Sequence, residues 1–294
     1  MAIRSAAVGT TSGPARLEVT TRLTQAYAAG LGDCNRRYLD DAAGHVIAPP
    51  AFCVSFEWPV FLALTSMEPL GADRAIRLRG VHALQDSRFR CLVRPGDVLV
   101  TTATIVEVRA TRAGAWALVR LDTAAEKSGE PVVTSYYGSI YRGVAVDGPD
   151  VRSDAPPAFP AGAPLPFTEK VEIPVRREAA HVYTECARIW NPIHTERRVA
   201  LEAGFPDTLL HGTATWALAA REIVDRFAGG DPLRLRRLAG QFRAQVIPGS
   251  TIVFGAGHAG ERVEFVVRNE KGEPAIADGR ALIDGGMRAE DRKY

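Results

Sequence analysis

The sequence has 294 residues, a formal net charge of +2, 46% hydrophobic and 24% charged residues. That composition fits a soluble globular chain of one large domain or two ordinary ones, long enough to bury a core without staples. Balanced charge gives no case for nucleic acid or an anionic membrane surface, and no window approaches the roughly eighteen apolar residues of a membrane span.

Met1 to Pro14 has no basic stretch followed by an apolar run, so a cytoplasmic protein is expected. The cysteines, Cys34, Cys53, Cys91 and Cys186, form no CxxC pair and no zinc-like spacing with histidine. Reduced thiols and no metal are the simple expectation.

In chain order, a helical or loop segment carrying Asp33-Cys34-Asn35 comes first, and a central helix should follow it. Pro95-Gly96-Asp97 reads as a turn feeding a strand. Val98, Val100, Thr102, Thr104, Val106 and Val108 recur at period two and predict one face of that strand. Trp116–Leu121 and Val132–Tyr141 suit further strands. Val146 to Pro166 holds six prolines and reads as a linker between residues 1–145 and 167–294. Beyond it, His211 to Phe227 has apolar residues at helical spacing, and Thr251–Ala256, Val263–Arg268 and Ala275–Ile283 suit strands.

The chain reads twice. Phe89 and Pro95 are repeated at the same interval by Phe242 and Pro248, Gly129-Glu130-Pro131 by Gly272-Glu273-Pro274, and Asp33-Cys34-Asn35 by Ile189-Trp190-Asn191. One helix wrapped by an antiparallel sheet, twice, is an α+β architecture. Two such units can pair their sheets edge to edge, which also protects exposed edges.

Tyr183 through Asn191-Pro192-Ile193-His194, followed by Ala203-Gly204-Phe205 and Leu210-His211-Gly212-Thr213, resembles the hydratase motif of MaoC-like dehydratases and R-specific enoyl-CoA hydratases. The first half, from Tyr27 through Gly32-Asp33-Cys34-Asn35 to Arg94-Pro95-Gly96-Asp97, is similar to the degenerate N-terminal unit of the same group. The resemblance covers nearly the whole chain. It implies a double hotdog fold acting on an acyl-CoA or acyl-carrier-protein thioester.

In that family an Asp and a His of the motif hold the water that adds to or leaves the β-carbon, and the Asn orients them. A backbone N–H at the start of the central helix holds the thioester oxygen. Carried over, His194 is the acid/base, Asn191 its orienter and Gly212 the oxyanion donor. The Asp position is Ile189, which can neither accept a proton nor hold water. The first half is reversed: Asp33 and Asn35 are kept, and the His position is Tyr38.

A replacement carboxylate is therefore sought in Asp207 or Glu185. His211, Thr213 and Trp190 are expected at the substrate. Arg236, with Arg234 and Arg237, is expected either at the phosphates of coenzyme A or on a solvated strand face. His45, His82, His181 and His258 show no pattern.

Three functions stay open: a hydro-lyase, an isomerase or cyclase of a specialised acyl intermediate, and a non-catalytic acyl-binding partner subunit. A thioesterase ranks below them. No dinucleotide turn or phosphate loop points to a cofactor. A monomer or a homo-oligomer is compatible with two units in one chain.

Overall fold

The computed structural model describes residues 1–44 and 46–284. The first half contains β1 (Ala2–Arg4), β2 (Ala15–Glu18), α1 (Thr21–Gly30), α2 (Arg36–Leu39), α3 (Cys53–Thr65), α4 (Arg74–Arg77), β3 (Gly80–Phe89), β4 (Val98–Thr111), β5 (Gly114–Ala125), β6 (Pro131–Arg142), β7 (Ala145–Asp147) and β8 (Val151–Arg152). The second contains β9 (Glu169–Pro174), α5 (Ala179–Ala187), α6 (Arg197–Glu202), α7 (Gly212–Phe227), β10 (Leu235–Phe242), β11 (Thr251–Ala259), β12 (Arg262–Arg268) and β13 (Pro274–Ile283).

Ten strands form one continuous antiparallel path, β2-β4-β5-β6-β3-β10-β13-β12-β11-β9, with β8 added to β4. β1 pairs separately with β7. The halves join at β3–β10, with Leu238 opposite Ser87 and Gly240 opposite Gln85. Two helix-carrying sheets are thus paired edge to edge in one chain, the expected α+β double unit.

The duplication extends to individual hydrogen bonds. Val19 donates to Asp97 and Gly96 to Val19; Val175 donates to Ser250 and Gly249 to Val175, all at 2.8 Å. Ala48 donates to Val93 just before α3, and Leu210 to Val246 just before α7.

The helix expected over His211–Phe227 is α7, with His211 as its N-cap residue. Gly229 and Gly230, both at positive φ, follow its end. Its apolar stripe buries Trp216, Ile223 and Val224 against the second half of the sheet. A fully buried Ile or Val contributes about 1.5–3 kcal/mol relative to an exposed one. In the first half α3 plays this part.

The alternation predicted over β4 is present, and the face read from the sequence begins as the half-buried one. Leu99, Thr101, Ala103 and Ile105 are the buried residues, while 98, 100, 102 and 104 are half-buried. A bulge between Ile105 and Glu107 then lets Val106 and Val108 be buried as well. One extra residue re-phases the pleat, which a strict period of two cannot show.

Two contacts mark the approximate two-fold axis. On the helical side, Tyr27 of α1 and Tyr183 of α5 meet hydroxyl to hydroxyl at 3.3 Å. A Cβ on Gly30 would lie 2.7 Å from the Cys186 Cβ, so only glycine allows this approach. On the sheet side, Arg237 of β10 donates to both carboxylate oxygens of Asp86 of β3, at 2.8 and 2.6 Å, with both residues buried.

Residues 154–168 carry no helix or strand and cross this seam, from Arg120 and Tyr136 of the first half to Arg262 and Glu264 of the second. Arg237 donates to the Pro157 carbonyl at 2.6 Å and stacks 3.7 Å over Phe159.

Candidate active site

After α5, Arg188 adopts a left-handed conformation (φ 57°) and turns the chain into Ile189-Trp190-Asn191. The Asn191 carboxamide oxygen then accepts the Ile193 N–H at 3.4 Å, and the His194 N–H reaches the Asn191 carbonyl at 3.0 Å. The result is a one-turn 3-10 helix, Pro192–His194, that ends on the histidine. Asn191 thus builds this turn through its contacts with the backbone of residues 193 and 194.

His194 donates from Nδ1 to the Leu209 carbonyl at 2.9 Å. A carbonyl can only accept, so in the neutral ring the proton sits on Nδ1 and the lone pair on Nε2. Burial pushes the His194 pKa down to about 4, against the opposite pull of the Leu209 carbonyl. The side chain is therefore a neutral base at pH 7.

His211 stacks on it, with ring centroids 3.7 Å apart and 24° between planes. Nε2 of His211 lies 3.2 Å from both the Ile189 carbonyl and Thr184 Oγ1, and Nδ1 is buried without a partner. Burial and then the neighbouring His194 push the His211 pKa down.

Both histidines line a cavity of about 510 Å³. Gly212 and Thr213 open α7 on its wall, and no side chain caps that helix start. Ala214 and Thr215 donate back to His211, while the Gly212 and Thr213 N–H groups have no acceptor among the described residues. Unpaired donors at a positive helix end suit a developing negative oxygen. The Gly212 Cα faces Phe242: an added Cβ would meet that ring at 3.1 Å.

The first half supplies the far wall. Trp58, Phe61, Tyr137, His82 and Phe242 form a chain of ring contacts, the tightest being His82 on Tyr137 at 3.5 Å and 3°. Burial pushes the His82 pKa down to about 3, and its Nε2 donates to Leu84.

The structure gathers His194, Asn191, Gly212, His211, Thr213 and Trp190 around one cavity. It places two expected residues elsewhere. Asp207 is off the lining, in an ion pair with Arg197 at 3.3 Å. Arg236 lines a separate cavity of about 310 Å³, walled mostly by the first half and closed by residues 232–236 of the second, and lies 3.8 Å from Asp284.

Glu185 is exposed and accepts from Trp190 Nε1. Asp33 lies near Arg221, Glu222 and Asp225 of α7, off the lining, and burial pushes its pKa up to about 6. No aspartate or glutamate lines the His194 cavity among the described residues.

Arg237, adjacent to Arg236 on β10, takes the buried pairing with Asp86. His82, Arg74, Arg77, Arg142 and Arg243 belong to the lining and were missed. Strand β3 had not been identified, and Arg243 was legible only as part of the echo around Phe242. His45 lies outside the described residues.

Known families fit this geometry. The family model of the MaoC like domain matches residues 163–277, which hold the whole His194 motif and the start of α7. The chain carries a MaoC-like dehydratase domain. The FAS1-like dehydratase domain region matches residues 6–135, the half that supplies the MaoC-like domain with its far cavity wall.

Over 304 aligned residues the chain is 27% identical to 3-hydroxyacyl-thioester dehydratase Y of Mycobacterium tuberculosis, covering 97% of this chain and 98% of that one. It is 24% identical over 244 residues to "Probable enoyl-CoA hydratase 2" of Dictyostelium discoideum, 81% of each. A MaoC-like dehydratase from Phytophthora capsici superposes with a TM-score of 0.81 at 19% identity, over 98% of this chain and 99% of that one. At that identity the likeness is one of fold, and the fold is the double hotdog.

Proposed function

We propose that this MaoC-like chain is a hydro-lyase that adds water to trans-2-enoyl thioesters or removes it from 3-hydroxyacyl thioesters. The observation that carries the reading is the convergence, in one cavity, of the His194 Nε2 lone pair and the unpaired N–H groups at the start of α7.

The thioester oxygen accepts from the Gly212 or Thr213 N–H, which draws charge off the β-carbon. Nε2 takes a proton from water as its oxygen bonds to that carbon. The imidazolium then returns the proton to the α-carbon, so one group serves as base and acid. Relatives named as enoyl-CoA hydratase and 3-hydroxyacyl-thioester dehydratase support this chemistry.

No helix among the described residues is long and apolar enough to cross a membrane. A cytoplasmic location, and coenzyme A or a carrier protein as the thiol, belong to the proposal. Because β3 and β10 pair within one chain, a monomer suffices for the site.

Purified protein should interconvert crotonyl-CoA, or longer trans-2-enoyl-CoAs, with their 3-hydroxyacyl forms. Failure to equilibrate any of several chain types would sink this reading. The lack of a lining carboxylate among the described residues favours a second one, double-bond isomerisation, which needs a proton carrier and no held water. Conversion of a 3-enoyl thioester to a 2-enoyl thioester that then accumulates unhydrated would select it.

A further inference from the structure

The cavity around His194 carries formal charge of one sign. Arg74 and Arg77 from α4, Arg142 from the end of β6 and Arg243 just beyond β10 all reach its lining, with no lining carboxylate among the described residues. All four arginines are exposed, and none forms an ion pair with a described residue. Arg77 donates to the Ala72 carbonyl at 2.6 Å, Arg142 to the Ala203 carbonyl at 3.5 Å, and Arg243 to Gln241 Oε1. These acceptors are neutral, so none of them supplies a counter-charge.

The smaller cavity, walled mostly by the first half, differs. There Arg90, Arg94 and Arg236 share the lining with Asp97 and Glu130. Like charges gathered without counter-charge repel one another and raise the local positive potential, which an anion relieves. Planar guanidinium forks match phosphate oxygens with two parallel hydrogen bonds.

We infer that Arg74, Arg77, Arg142 and Arg243 bind the phosphate groups of the thiol carrier and so select phosphate-bearing thioesters over bare pantetheine ones. This rests on the thioester reading. It gives these four residues the phosphate contact that was one of two expectations for Arg236, with Arg234 and Arg237. The carrier's phosphate has two sources, the nucleotide of coenzyme A and the phosphopantetheine arm of a carrier protein, and both present the same chemistry to the rim.

The test is calorimetric binding of coenzyme A, phosphopantetheine and pantetheine to the full chain. The wild type should bind pantetheine at least about tenfold more weakly than a phosphate-bearing ligand, since a hydrogen bond to a charged group is commonly worth that factor or more. Arg74→Gln with Arg142→Gln should shrink that preference by about tenfold, and the Lys pair should retain part of it. Arg198→Gln, remote from the cavity, should leave it unchanged.

Coenzyme A binding above phosphopantetheine supports the nucleotide as the phosphate recognised. Equal binding of the two supports the arm. Pantetheine binding as tightly as both, or a preference untouched by the double Gln variant, would overturn the inference. Binding needs no turnover, so failed hydration would count against the lyase reading alone. A flat phosphate dependence in a protein that hydrates enoyl thioesters would count against the arginines alone.

Discussion

The two halves build the same turn and put different chemistry on it. Gly32 (φ 62°) and Arg188 (φ 57°) make the same left-handed step. Asn35 Oδ1 then accepts the Arg37 N–H as Asn191 Oδ1 accepts that of Ile193. Tyr38 N donates to the Asn35 carbonyl as His194 N does to that of Asn191.

From there they diverge. Tyr38 is buried in a small apolar cluster with Ala28 and Ile47, whereas His194 borders the larger cavity. The matched Ala48 and Leu210 hydrogen bonds also align Pro49 with His211 and Pro50 with Gly212. Proline has no N–H, so the first half cannot offer the donor that Gly212 offers. The turn is built in both halves, and only the second joins it to a histidine and to an unpaired N–H at residue 212.

The largest stability effect should come from the seam that holds the halves together. Arg237→Met leaves Asp86 buried without its partner and should cost about 3–5 kcal/mol in denaturant unfolding. A loss within the range of surface changes would mean that the seam carries little of the coupling between halves.

Restoring the family's carboxylate sharpens the comparison through pH. With His194 held down to about 4, the acid limb of kcat/KM should lie near 4. Ile189→Asp places a carboxylate in the cavity and should move that limb up by about one to three pH units, because a nearby anion favours the imidazolium. An unmoved limb would separate position 189 from the histidine. Stability should follow the same group. The unfolded chain takes up this proton below its ordinary value of 6.5 and the folded chain does so near 4, so stability falls as pH drops from 6.5 towards 4.

Tyr38→His completes the motif in the first half. It should add no turnover to a His194→Ala background, since position 38 is buried in an apolar cluster and lines neither cavity; measurable hydration would contradict the divergence drawn above. The smallest effect is local. Arg188→Gly relieves a left-handed arginine and should raise stability by up to about 1 kcal/mol in thermal unfolding.

Much of this was legible before the fold was known. The interval shared by Phe89 and Phe242 pointed to the duplication, helical spacing to α7, and Asn-Pro-Ile-His beside Leu-His-Gly to residues that the fold brings to one cavity. What was hidden depends on partners distant in sequence. Arg236 and Arg237 are neighbours, and only pairing with β3 decides that one meets Asp86 in the core while the other faces a different cavity. Asp207 precedes α7 by a few residues, yet it lies off the lining and pairs with Arg197. His82 belongs to the first half, and only the edge-to-edge pairing brings it to the wall of a site built by the second.

The most direct test is hydration of trans-2-enoyl-CoAs by the wild type, His194→Ala and Asp33→Ala side by side. The account predicts a loss of about a hundredfold or more for His194→Ala, the scale of a removed acid–base group, and wild-type turnover for Asp33→Ala. Equal losses in the two variants, or full activity in His194→Ala, would contradict it.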